Sequence, residues 1–390
     1  MRITTMLFLL VCLTGCGRGG ESLNILMDDV KQDFAPDKRV ALFDIRGIKK
    51  GGKYLLEGTS NLPDAVAALM EKCEDAGLNV ENRIHLYPDT TLEGSLFGVV
   101  NLSACNIRSH PAHSSELATQ ATLGTPLKLL TRQNDWYLVQ TPDGYLGWLD
   151  EGGFTPMNEA EMKAWKNARK VVYLPQFGFA YALPDMTSQV VSDLLAGNIL
   201  RYIGETEKNL TELSFPDGRK AFVPAGTTKD YAEWLDSRNP VADNILSTAD
   251  EFIGRPYLWG GTSGKAMDCS GFTKTVFFLN GIILPRDASQ QVHIGTDIAV
   301  DTSLEGLLPG DLLFFGKKAT ADQKEKITHV AIYRGNGKII HATGRVKMES
   351  LRPGDEHFAE DRLNTLVCAK RVLNTPGENG VQWIRQSEAY

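Results

Sequence analysis

Pro256-Tyr257-Leu258-Trp259-Gly260-Gly261, followed closely by Asp268-Cys269-Ser270-Gly271-Phe272, is the densest stretch of this 390-residue chain. The apolar pattern after Cys269 runs to Gly281 and reads as a helix, so Cys269 sits at a helix N-terminus. Unpaired N–H groups and the helix dipole favour negative charge there, which predicts a lowered thiol pKa. The same N–H groups, that of Cys269 included, can receive the oxyanion of an attacked carbonyl. One location thus offers a nucleophile and an electrophilic pocket.

A thiol nucleophile needs a base that later protonates the departing amine, and histidine suits both tasks near neutral pH. Two candidates lie downstream, His329 in His329-Val330-Ala331-Ile332-Tyr333 and His341 in Ile339-Ile340-His341-Ala342-Thr343. A three-residue loop at Gly335-Asn336-Gly337 would pair Arg334 with Lys338 and set His341 opposite Ala331. His329 then becomes a diagonal neighbour on the same face. In that arrangement His329 is the base and His341 orients it and fixes its tautomer. His293, His85, His110, His113 and His357 have no motif around them.

Outward from this centre, a net charge of −7 and the lack of a basic stripe argue against a nucleic-acid partner. Arg2, the apolar run Met6 to Leu13, and Leu13-Thr14-Gly15-Cys16 read as a signal peptide, residues 1–15, too short to stay as a membrane span. Residues 16–38 are expected as a tether, flexible at Gly17 to Ser22. Cys73, Cys105, Cys269 and Cys368 lack paired spacing, so neither a disulfide framework nor a zinc ribbon is implied. Cys73 falls on the apolar face of a helix with Val66, Leu69 and Met70.

Residues 39–103 read as a small α+β unit, with strands at Val40 to Ile45, Tyr54 to Glu57, Arg83 to Tyr87 and Leu96 to Asn101. Its helix is capped by Asn61, opened by Pro63 and followed by Gly77. A weak repeat comes next. Ser115 to Gln120 before Leu123-Gly124 matches Ser188 to Asp193 before Ala196-Gly197, and Pro142-Asp143-Gly144 matches Pro216-Asp217-Gly218. Short alternating strands joined by Asp-Gly turns suggest two small barrels, 104–156 and 171–230, with a connecting helix at 157–170. Tyr231 to Asn239 reads as a linker, 240–373 as the last domain, and 374–390 as a polar tail that frays.

The Asp-Cys-Ser-Gly-Phe run, Leu284-Pro285-Arg286, Pro309-Gly310-Asp311-Leu312-Leu313-Phe314-Phe315 and the two histidines, in this order, resemble the NlpC-type family of cell-wall cysteine peptidases. The barrels resemble bacterial SH3-like domains, the first more closely than the second. Small residues before Cys16 resemble a bacterial lipobox, which implies lipid on Cys16 and membrane attachment of an exported, periplasmic protein.

The implied fold class is α+β: a papain-like catalytic domain preceded by two SH3-like barrels and the small α+β unit, as in the dipeptidyl peptidase VI branch. The resemblance implies catalytic Cys269, His329 and His341, no cofactor and no metal. It also implies cleavage of cell-wall peptides between a γ-linked D-glutamate and diaminopimelate or lysine. A free N-terminal L-alanine would be read by Asp268, with Glu116 and Tyr145 closing the site from the first barrel. Tyr257 is a candidate for oxyanion or substrate contact, and Ser270 and Ser289 for the peptide backbone.

Two other classes fit parts of the pattern. One Cys and two His can hold zinc, although a fourth protein ligand at tight spacing is absent. Alternatively, the chain is a wall-binding lipoprotein whose last domain is inactive or an acyltransferase, against which the intact Cys and both His argue.

Overall fold

The computed structural model describes residues 18–301, 303–373 and 377–390, so the leader and Cys16 lie outside the described residues. The chain forms two compact units that meet between Tyr87 and Pro88. Among the described residues no helix is long and apolar enough to cross a membrane.

The first unit contains the helix Arg18–Phe34 and a three-stranded sheet in the order Phe43–Lys50, Lys53–Ser60, Val80–Leu86. Gly51-Gly52 joins the first two strands with both φ angles positive, the conformation a tight hairpin demands of glycine. The third strand is parallel to the second, so the chain crosses over through the helix Pro63–Asp75. Leu23, Val30, Leu56, Leu69 and Cys73 form the core. Two expectations change here. The stretch expected as a tether supplies a core-packed helix, because Leu23, Val30 and the half-buried Leu26 and Met27 give it an apolar face. Asn61 does not cap: its Oδ1 accepts from Leu42 N at 2.8 Å, and Ser60 Oγ accepts from Leu62 N at 3.0 Å.

The second unit opens with two seven-stranded sheets of the same topology. The first runs Phe154–Met157, Phe97–Val100, Pro126–Gln133, Trp136–Gln140, Leu146–Asp150, Ala104–Arg108, Leu117–Thr122. The second runs Thr228–Asp230, Lys170–Tyr173, Ile199–Glu205, Leu210–Ser214, Lys220–Pro224, Phe177–Tyr181, Val190–Leu195. The repeated glycines carry the repeat into the backbone: Gly124 and Gly197 both have φ +85°, and Gly144 and Gly218 have +85° and +86°. The strand Phe97–Val100, expected in the N-terminal α+β unit, belongs to the first sheet, since its partners Pro126 to Lys128 and Phe154 to Met157 lie later in the chain. Between the sheets, Asn158 and Glu161 form a capping box for the helix Glu159–Asn167. After the second sheet, the expected linker is the short helix Tyr231–Asp236, held by Trp234 in a small core with Val172, Ile199, Ile283 and Ile384.

The last domain packs the helix Cys269–Leu279 on a six-stranded antiparallel sheet. Its order is Thr296–Ile298, Leu366–Arg371, Leu312–Lys317, Lys326–Gly335, Lys338–Thr343, Arg345–Ser350. Phe272, Val276 and Phe277 meet Leu312, Phe314, Val330, Ile332 and Ile340 on one face, while Leu313, Phe315, Ala331, Tyr333 and Ile339 are buried in a separate core. Burial of both faces explains the unbroken apolar runs in these strands.

The histidine hairpin differs in its turn. Gly335 pairs Lys338 across a two-residue Asn336-Gly337 loop with φ +53° and +78°, and the register shifts at Arg334. Arg334 reaches Asp250 instead, Nη2 to Oδ2 at 2.7 Å. Beyond the shift, Ile332 pairs Ile340, so Ala331 and His341 fall opposite as expected. Residues 377–390 do not fray: Gln382–Trp383 pairs with Ile282–Ile283, and Val381 and Ile384 are buried. Two buried apolar side chains among polar ones suffice once a groove exists to receive them. Ile384→Ala should cost about 2–4 kcal/mol, read as a lower urea midpoint at unchanged slope; a midpoint equal to wild type would mean the segment contributes no stability.

Candidate active site

The helix begins at Cys269 because Asp268 caps it, Oδ1 accepting from Gly271 N at 2.7 Å. The cap is itself clamped. Arg286, only 1% exposed, donates to both carboxylate oxygens, Nη1 to Oδ1 at 3.1 Å and Nη2 to Oδ2 at 2.6 Å. Gly260 N adds a bond to Oδ2 at 2.9 Å. Ser270 Oγ lies 3.3 Å from Asp268 Oδ1 and accepts from Arg286 Nη1 at 3.0 Å. Arg286 Nε also donates to Thr119 Oγ1, 3.0 Å away in the first seven-stranded sheet.

These bonds correct two expectations. The Asp268 carboxylate already accepts from two backbone N–H groups, a hydroxyl and both arms of a guanidinium, so it has no lone pair for a substrate ammonium. Ser270 is buried and engaged with the same pair, so its hydroxyl does not face a substrate. Both residues set the position of Cys269.

The thiol is 7% exposed, and the N–H groups of Val330 and Ser270 donate to it. The Val330 contact lays the sulfur against the peptide that joins His329 to Val330. Burial pushes the thiol up to about 11, and the Asp268 carboxylate adds to the rise; the N–H donors and Arg286 only partly offset it. This reverses the lowered pKa expected from the helix terminus. A terminal dipole supplies at most about 2 kcal/mol, whereas full burial shifts a pKa by as much as 3–5 units. His329 lies well below the usual imidazole range, first through burial, then through His341 and Arg362, with Glu349 opposing. At neutral pH the resting pair is therefore a thiol and a neutral imidazole.

His329 Nε2 and His341 Nδ1 are 2.7 Å apart, with rings nearly perpendicular at 82°. That bond occupies His329 Nε2. It also weighs against the zinc alternative, since two ligands of one ion would turn these nitrogens to the metal rather than to each other. His341 Nε2 lies 2.9 Å from Glu349 Oε2, close but out of line with the ring N–H. Tyr257 packs against the same core, and burial, then Cys269 and Asp268, push its phenol up to about 12. It keeps its proton at neutral pH and is a hydrogen-bond donor beside the thiol.

The first seven-stranded sheet walls off one side. Trp259 Nε1 donates to Glu116 Oε1 at 2.6 Å, Tyr145 Oη donates to Asp287 Oδ2 at 3.1 Å, and Thr262 Oγ1 donates to Gln120 O at 2.7 Å. Gly260, at φ +81°, approaches so closely that a Cβ there would sit 2.1 Å from Leu117 O. Glu116 and Tyr145 are thus brought to the loop and the carboxylate that flank the nucleophile. Ser289 lies in the first turn of the helix Ala288–Gln291, beside Asp287.

Residues 254–364 match the NlpC/P60 family, and residues 107–153 match the bacterial dipeptidyl-peptidase SH3 domain. A gamma-D-glutamyl-L-lysine dipeptidyl-peptidase of Bacillus cereus (strain ATCC 10987 / NRS 248) is 32% identical over 249 residues, covering 59% of this chain and 68% of the relative. The chain belongs to the NlpC/P60 family. It is a cysteine peptidase, with the catalytic domain C-terminal and an SH3-like domain before it. Dipeptidyl-peptidase 6 of Lysinibacillus sphaericus is 26% identical over 278 residues, 69% of this chain and 97% of the relative. The crystal structure of an NlpC/P60 family protein from Bacillus cereus ATCC 10987 superposes with a TM-score of 0.59 at 26% identity, covering 70% of this chain and 99% of that one.

Three residues at this NlpC/P60 site escaped the sequence reading. Arg286 stood inside a quoted motif, but nothing local reveals that its partner is Asp268, 18 positions earlier. Asp287 is found only through Tyr145. Glu349 had a signal: His341 pairs Lys347, so Glu349, two residues on, is a diagonal neighbour of His341 on the same face.

Two outcomes test this geometry. Arg286→Met leaves the Asp268 charge buried without its partner and should cost about 3–5 kcal/mol in urea unfolding, partly recovered when Asp268→Asn is added; full stability of the single variant would refute the clamp. Alkylation of Cys269 by iodoacetamide should still be rising steeply between pH 8 and 10. A plateau reached by pH 7 would instead require a thiolate paired with an imidazolium.

Proposed function

We propose that this NlpC/P60 peptidase hydrolyses the bond between γ-D-glutamate and a diamino acid, lysine or diaminopimelate, in short cell-wall peptides that begin with a free L-alanine. The observation that carries the proposal is the contact of the SH3-like domain with the catalytic domain: Glu116 meets Trp259 in the loop before the Cys269 helix and Tyr145 meets Asp287 next to Arg286, contacts that we read as closing one end of the substrate site. A closed end admits a short N-terminal stub and excludes a continuing glycan-linked strand. The carboxylates there, Glu116 and Asp287, offer the counter-charge that a buried ammonium requires. Asp287 takes the part first given to Asp268. The names of the Bacillus cereus and Lysinibacillus sphaericus relatives support the same bond and a dipeptide product.

In the proposed mechanism the Cys269 proton passes to His329 Nδ1 as sulfur attacks the γ-carbonyl, so no resting thiolate is needed. The Cys269 N–H, first in its helix, and the Tyr257 hydroxyl donate to the oxyanion. His329 then protonates the departing amine and later activates the water that releases the dipeptide. Ser289 lies where it can meet the peptide backbone.

The second seven-stranded sheet reads as a second SH3-like copy by its shared topology, and the catalytic domain as papain-like. The lipobox reading makes the enzyme exported and anchored through lipid on Cys16, on the periplasmic side of a bacterial membrane.

The test is digestion of L-Ala-γ-D-Glu-L-Lys and its diaminopimelate counterpart, free and N-acetylated, followed by mass spectrometry, with Cys269→Ala as control. The expected result is L-Ala-γ-D-Glu from the free peptides only, absent in the variant. Equal cleavage of the acetylated peptides would discard amine recognition, and no cleavage of any would discard the substrate.

A further inference from the structure

His341 is fully buried and its two ring nitrogens meet different neighbours, His329 Nε2 at 2.7 Å on one side and Glu349 Oε2 at 2.9 Å on the other. A neutral imidazole has one proton to place, and its position on His341 decides the position on His329. With the proton on Nδ1, His341 donates to His329 Nε2, and His329 must carry its own proton on Nδ1; it then has no nitrogen left to act as a base. With the proton on Nε2, His341 Nδ1 accepts from His329 Nε2–H, and the His329 Nδ1 lone pair is left to take a proton. Nothing in the histidine pair itself chooses between these two states.

We propose that Glu349 is a positioning residue of the peptidase, whose carboxylate draws the His341 proton to Nε2 and thereby sets the one tautomer in which His329 can accept a proton from Cys269. An ionised carboxylate accepts and cannot donate, so beside a buried ring nitrogen it admits only the N–H form. Glu349 is suited to stay ionised: the approach of His341, followed by that of Lys347, holds it at about 2 against the opposing effect of burial. Lys347, on the same strand, forms an ion pair with Oε1 and leaves Oε2 for the histidine. The His341 nitrogen has no aligned bond, and a slight turn of the carboxylate supplies one.

The same charge also stabilises the imidazolium that forms on His329 during attack. The charged groups acting on the two rings are Glu349, which favours protonation, and Arg362 and Lys347, which oppose it; Asp268 and Arg286 act on the thiol. Removal of the carboxylate therefore lowers the affinity of His329 for a proton. Partners of this kind, which orient a reacting histidine without touching the substrate, change activity by about 10–100-fold.

The proposal rests on the peptidase assignment, and two of its three readouts need no substrate. In the wild-type enzyme, 15N-detected NMR of labelled histidines should find His341 and His329 both protonated on Nε2 with Nδ1 free of a proton. A proton on His341 Nδ1 overturns the proposal whether or not any variant folds. Glu349→Gln should lower kcat on the tripeptide by about 10–100-fold with KM within twofold, and move the acidic limb of the kcat profile to lower pH. It should also slow iodoacetamide alkylation of Cys269 at pH 8, and Glu349→Asp should restore part of both losses. Glu349→Gln with native circular dichroism and unchanged kcat, pH limb and alkylation rate also overturns it. If the tripeptide is no substrate, the NMR and alkylation results still decide the matter.

Discussion

The ion pair between Asp268 and Arg286 joins the Cys269 helix, the Gly260 loop and the SH3-like domain. Asp268 starts the helix that carries the nucleophile, fixes the Gly260 backbone and receives a guanidinium that is 1% exposed. Arg286 continues to Thr119 in the SH3-like domain. Two charges removed from water repay their desolvation only when every donor and acceptor is matched, and here the match extends across a domain boundary. Cys269 is placed in a frame that Arg286 ties to the SH3-like domain.

Burial has a second consequence, for reactivity. A thiol at a helix terminus is commonly activated by the dipole, but this one is enclosed by its own core, by Tyr257 and by the Asp268 carboxylate. Keeping it neutral protects it from adventitious oxidation, since the thiolate is the form that reacts. In the proposed mechanism the work of deprotonation passes to His329, whose own low proton affinity keeps it ready as a base. In that mechanism the row from His329 through His341 to Glu349 then matters more than the helix terminus, because it decides which His329 nitrogen carries the proton.

The SH3-like domain acts as a wall. Its edge strand Leu117–Thr122 lies against Gly260 and Thr262, and Lys274 meets Asp143 at 2.8 Å in a buried pair farther along the same junction. A position that tolerates only glycine at such a contact shows how little clearance the two domains leave. The second seven-stranded sheet shares the topology of the first, yet Glu116 and Tyr145, which reach the nucleophile's surroundings, belong to the first.

What the sequence determined by itself follows from local chemistry. A Cys after an Asp at a helix start, two His in neighbouring strands and glycine turns repeated at matching intervals are short-range patterns, and they yielded the candidate nucleophile, the histidine pair and the repeat. The tertiary structure decided what depends on residues far apart in the chain. Asp268 became a clamp because Arg286 arrives from 18 positions away. The Phe97–Val100 strand joined a later sheet because its partners lie beyond it, and the polar C-terminal segment ordered because Ile282–Ile283 offers it a strand edge. The thiol pKa reversed for the same reason: a helix dipole can be read from a local sequence, but desolvation is the sum of everything that packs around the sulfur.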